Sequence, residues 1–138
     1  MPDFIKIAIA EDHSGYRDLL AGIFVEYRFV VLACSTAEPG FIDLLDEDNL
    51  PHVILVGCST LYPKSVTLIK ELRNKYPLVK ILATALFHHY LPVKELEEIN
   101  IEGWLMKSTC GPKLLIKTAA ELYKGRHFFH ETEDGLPA

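Results

Sequence analysis

Residues 51–60 read PHVILVGCST. Pro51 and His52 open the run. Val53, Ile54, Leu55 and Val56 follow without a polar residue on either parity, and three of the four are β-branched. The run then breaks into Gly57, Cys58 and Ser59. Such a stretch reads as a strand buried on both faces, which is how strands of a parallel sheet read. Gly57 permits a sharp exit from a strand.

Working outward, the same kind of segment recurs. IKIAIA (5–10), FVVLACS (29–35), KILATAL (80–86) and GWLMK (103–107) are short and apolar. Helical spacing fills the gaps between them. Tyr16, Leu19, Leu20, Ile23, Phe24 and Tyr27 make a wide apolar stripe. Phe41, Ile42, Leu44 and Leu45 predict a short second helix before the acidic turn DEDN. Pro63 begins a third helix, with Leu68, Ile69 and Leu72 inward and Pro77 ending it. Pro92 starts a fourth, with Val93, Leu96 and Ile99 on one side. Gly111-Pro112 opens a fifth, with Leu115, Ala119, Leu122 and Tyr123 inward and Gly125 as its stop.

The order is βα repeated five times. It calls for a three-layer α/β sandwich, a five-stranded parallel sheet with helices on both faces. Residues 1–125 form the expected domain, and 126–138 read as a tail or the start of a linker. In such sheets, sites form beyond the carboxyl ends of the strands. That rim holds Glu11-Asp12-His13, Ser35-Thr36, Gly57-Cys58-Ser59, Ala85 to His89, and Lys107-Ser108.

Bulk properties narrow the function. The chain has 138 residues and a net charge of −5, with its cations dispersed. It lacks the basic stripe of a nucleic-acid module, so no nucleic-acid binding is expected of it. No apolar run reaches the length of a membrane span, and the N-terminus is no secretory signal. Three cysteines without metal spacing read as reduced thiols in a cytoplasmic protein.

The ordered set IKIAIAEDH, PHVILV, ELRNKYPLVKILA and GWLMK resembles the two-component receiver domain, most closely that of NarL/LuxR-type response regulators. The resemblance covers about residues 4–125. It implies a flavodoxin-like sheet of order 2-1-3-4-5. It also implies phosphoryl transfer from a histidine kinase to an aspartate ending the third strand. Mg²⁺ is held there by an acidic pair after the first strand. A lysine after the fifth strand contacts the phosphoryl group, and a Ser/Thr–aromatic pair senses it. On this chain the acidic pair falls on Glu11 and Asp12, the lysine on Lys107 and the switch aromatic on Trp104. The aspartate position is Gly57 and the Ser/Thr position is Ala85. Thr84 is one residue early, so it faces the other side of the sheet. Leu61 and Ser65 stand where the family usually has a proline and a glycine.

Glycine has no nucleophile with which to form an acyl phosphate. Glu11 and Asp12 alone would hold Mg²⁺ weakly, so no cofactor is expected. Glu11, Asp12 and Lys107 are instead expected as an exposed structural ion-pair cluster. The reading is a degenerate receiver, not an enzyme: a regulatory interaction module of a response regulator. Its expected partners are a second copy or another signalling protein, met through the fourth helix, fifth strand and fifth helix. A histidine kinase is a further candidate partner. Ala85 leaves room for Trp104 to stay inward, which would fix the domain in one state. The alternatives are phosphorylation of a neighbour such as Ser59 or Thr60, or a small molecule or anion in the vacated pocket around Gly57, Ala85 and Lys107. Cys58 as a reactive thiol, and a metal site from His13, His88 and His89, are weaker readings.

Overall fold

The computed structural model describes residues 4–58, 63–87 and 90–130. β1 (Ile5–Ala10), β2 (Phe29–Ser35), β3 (Val53–Gly57), β4 (Lys80–Ala85), β5 (Gly103–Met106) and β6 (Phe128–Phe129) form one sheet of order β2-β1-β3-β4-β5-β6. Every pairing is parallel. The helices are α1 (Ser14–Glu26), α2 (Lys64–Lys75), α3 (Val93–Ile99) and α4 (Pro112–Tyr123).

Strand alternation builds two cores. Ile7, Ile9, Val53, Leu55, Leu82 and Leu105 cluster with Leu20 and Phe24 of α1 and with Leu115, Ala119 and Leu122 of α4. Ala8, Ala10, Ile54, Val56, Ala83, Ala85, Trp104 and Met106 cluster with Leu68, Ile69 and Leu72 of α2 and Leu96 of α3. The strand that opened the reading is therefore covered on both sides, and Val53 to Val56 are wholly buried. Residues 8, 10, 83 and 85 on the α2–α3 side are all alanines, and the Trp104 side chain belongs to the same cluster.

Three details depart from the expected layout. The second helix is a 3₁₀ segment, Pro39–Leu44, with Phe41 as its buried anchor. A six-residue segment opening on Pro39-Gly40 closes in the tighter 3₁₀ form. The fourth and fifth expected helices are thus α3 and α4. The stripe on α1 is narrower than predicted: Leu19 is 57% exposed and Tyr27 44%, while Leu20 and Phe24 carry the contact. The sheet has six strands, not five. Phe128 pairs with Gly103 and Phe129 with Trp104.

The sixth strand follows from how α4 stops. Gly125 takes φ +91. Its N–H donates to Leu122 O (3.0 Å), and that of Arg126 donates to Glu121 O (3.0 Å). This double closure turns the chain back along β5.

At the opposite end of the sheet from the rim, Arg73 ties three elements together. Its guanidinium donates to Glu102 Oε1 (2.6 Å), Pro77 O (3.0 Å) and Val79 O (3.2 Å). Glu102 Oε1 also accepts from Ile81 N at 2.8 Å. Both side chains are mostly buried, at 17% and 12% exposed. Arg73→Met should lower the unfolding free energy by about 2 kcal/mol in urea titration, because Glu102 keeps its burial and loses its cation.

Candidate functional site

The carboxyl ends of β1, β3 and β5 bring Glu11, Gly57 and Lys107 together. Glu11 N–H donates to Ser35 O at 2.8 Å, which extends the β1–β2 ladder by one residue. By alternation the Glu11 side chain continues the face of Ile7 and Ile9, toward α1 and α4. It is buried, with 4% of the residue exposed. Its Oε2 accepts from His13 N (2.9 Å), and its Oε1 accepts from Lys107 Nζ. A Cβ added at Gly57 would overlap Glu11 Oε1 and lie 3.0 Å from Glu11 Cδ. The Glu11 carboxylate therefore fills the volume that a side chain at 57 would enter.

Lys107 is fixed from two sides. Its Nζ meets Glu11, and it also sits 4.6 Å from the centroid of the Tyr16 ring. Burial, with Cys110 and Glu11 adding to it, pushes the Tyr16 phenol up to about 12, so the ring stays neutral beside the ammonium. The pair is not the exposed cluster expected from sequence. The Lys107 and Glu11 side chains are 17% and 5% exposed. Asp12 is not part of it. Its Oδ1 accepts from Ala37 N (2.8 Å) and anchors the loop after β2.

The Mg²⁺ expectation meets the same geometry. Glu11 is spent on Lys107 and His13 N, Asp12 on Ala37 N, and Gly57 brings no oxygen beyond its backbone. Among the described residues no group of three or more His, Cys, Asp or Glu could hold a metal ion. These residues do not fit the ion.

The switch positions divide between the two faces. Thr84 pairs with Gly57 across β3–β4, and its carbonyl accepts from Cys58 N at 2.6 Å. Thr84 alternates with Ala83 and Ala85, so it lies on the Leu82 face, as the one-residue offset requires. Ala85 shares the α2–α3 core with Trp104. Trp104 is 5% exposed, stands opposite Ala83, and packs on Phe129 with ring centroids 4.4 Å apart. Its Nε1 is buried and has no hydrogen-bond partner among the described residues.

The remaining candidates have plain roles or lie outside the described residues. His13 Nδ1 accepts from Tyr16 N (3.0 Å), so this histidine caps α1. Cys58 is buried, and burial pushes its thiol up to about 12, which keeps it a neutral, unreactive group. Ser59, Thr60, Leu61, His88 and His89 lie outside the described residues. Sequence reading missed three groups: the Tyr16 ring over Lys107, the His13 cap, and His130, whose Nδ1 accepts from Met106 N at 3.0 Å. One signal for the filling of Gly57 was available. A glutamate, the longer carboxylate, stands opposite the residue with no side chain.

No protein-family model matches the chain, and no curated protein sequence matches it. Solved structures do. The non-phosphorylated receiver domain of the stress response regulator RcsB from Escherichia coli superposes with a TM-score of 0.75 at 22% identity, over 94% of this chain and 100% of that one. A LuxR-family DNA-binding response regulator from Silicibacter pomeroyi gives 0.72 at 16% identity, over 92% and 97%. RcsB dimers bound to DNA give 0.76 at 21% identity, and there the chain spans 94% of itself but only 65% of the RcsB chain. These likenesses cover more than nine-tenths of the chain, and they establish that it has the α/β fold of response-regulator receiver domains.

Proposed function

We propose that the chain is a degenerate receiver of the LuxR type, a signalling and regulatory interaction module that works without aspartyl phosphorylation. The observation that carries this reading is the place of Glu11. An acceptor carboxylate at 57 would need the volume that Glu11 occupies, and the lysine that would meet a phosphoryl group is already paired with Glu11. The same filling argues against a small molecule or anion in a vacated pocket. Among the described residues no nucleophile stands beside a base at this site, which supports a binding role.

The domain acts through its surface. The face built from α3, β5 and α4 is where a second copy or another signalling protein would dock. The RcsB neighbour is a DNA-bound dimer, and its pairing supports self-association here. The acidic balance of this chain leaves DNA contact to other parts of an assembly. A histidine kinase remains a docking partner without transfer. No helix among the described residues is long and apolar enough to cross a membrane.

Thermal unfolding with and without Mg²⁺ and beryllofluoride tests the reading. Anything that binds the native state raises its Tm by mass action. The expected result is the same Tm in all conditions. A rise that requires both Mg²⁺ and beryllofluoride would restore the phosphoacceptor reading.

A further inference from the structure

The segment after α4 is held on the β5 edge by an unusual last bond. Phe128 N donates to Glu102 O (3.1 Å) and His130 N to Trp104 O (3.0 Å), as in any parallel ladder. The next donor on β5 is Met106 N. It donates to the imidazole Nδ1 of His130 at 3.0 Å rather than to a backbone carbonyl. The seat is shaped for this strand. A Cβ at Gly103 would come within 2.5 Å of Phe128 O, so only glycine lets β6 approach. Phe129 in turn covers the Trp104 ring.

We propose that residues 126–130 form a strand latch on the β5 edge, held by neutral His130 and released when that imidazole takes a proton. The reading stands apart from phosphorylation. Nδ1 accepts only in the neutral ring. Protonation turns it into a second N–H facing the Met106 N–H, so the bond is lost and two donors oppose each other. Release uncovers the β5 backbone edge and the Trp104 ring. An unpaired strand edge beside an aromatic is what a partner strand adds to. The latch would thus couple pH to access on the same face that α3 and α4 flank.

The groups around the ring leave this titration to His130. On the segment after β5, Thr109 Oγ1 lies 3.4 Å from Nε2 and is neutral. On its own segment, Phe128 is an apolar neighbour with ring centroids 6.3 Å away, and His127 packs on Phe129. Lys107, next to Met106 in the chain, has its ammonium on Glu11. No described carboxylate is within ion-pair distance of His130. Burial lowers the His130 pKa from its ordinary 6.5. The native state therefore prefers the neutral ring. The latch's contribution is complete above 6.5 and is lost as pH falls through the lowered value.

The test is amide hydrogen exchange on the full chain by NMR, from about pH 7.5 to about pH 5, with intrinsic rates removed. Protection at Met106 should fall about tenfold relative to the β1 amides, in step with His130 titration below 6.5. His130→Ala should show the low protection at every pH. His130→Asn, which keeps an acceptor and cannot titrate, should hold the strand throughout. Met106 protection that tracks β1 across the range overturns the proposal, as does a wild-type pH response in His130→Ala.

Discussion

Lys107→Met is expected to lower the unfolding free energy by about 3 kcal/mol, and adding Glu11→Gln should return most of it. The reason is burial. Glu11 has 5% of its side chain exposed and depends on Lys107 for its countercharge. Removing one partner of a buried pair leaves an uncompensated charge, whereas removing both leaves a polar amide that His13 N can still meet. Urea unfolding of wild type, both single variants and the double variant closes the cycle. A coupling of about 2 kcal/mol fits a buried pair. A coupling below about 0.5 kcal/mol would place Glu11 and Lys107 among surface pairs, and the filled-site account would fall.

The second large effect is at the glycine. Gly57→Asp should destabilise the protein by about 2–3 kcal/mol, since two carboxylates would then share one ammonium in one volume. Its Cβ would overlap Glu11 Oε1. Gly57→Ala isolates the steric part and should cost less, because the far end of Glu11 can swing. Glu11→Ala added to Gly57→Asp should recover most of the loss, because a single carboxylate again faces Lys107. A Gly57→Asp protein as stable as wild type would mean that Glu11 leaves the site freely.

Both variants turn on a feature that sequence reading located only in part. The strands were legible because burial on two faces leaves an uninterrupted apolar run, as in VILV. Helices α1, α2 and α4 were legible from their 3.6-residue stripe, and α2 and α4 also from their proline or glycine ends. Residues 39–44 were not, because apolar residues at 41, 42, 44 and 45 fit a helix and a 3₁₀ turn equally. Phe128 and Phe129 were not, because a two-residue strand has no period, and its pairing depends on Gly103 across the sheet.

The site divides in the same way. Strand ends decided which residues share the rim, and there Glu11, Gly57 and Lys107 meet, while Ala85 and Trp104 pack on the other face of the sheet. What the pattern could not show was where a flexible side chain points. Asp12 turns to Ala37 and Glu11 to Lys107, a choice of rotamer and not of register. The histidines show it too. His13 caps a helix and His130 closes a strand edge, and neither role leaves a local motif in the sequence.

If phosphoryl chemistry has left this site while the fold remains, a small phosphodonor should leave the chain unmodified. Intact-mass measurement after incubation with acetyl phosphate and Mg²⁺ tests it most directly. The account predicts the unmodified mass at every time point. A stoichiometric, hydroxylamine-labile gain of one phosphoryl group would contradict it.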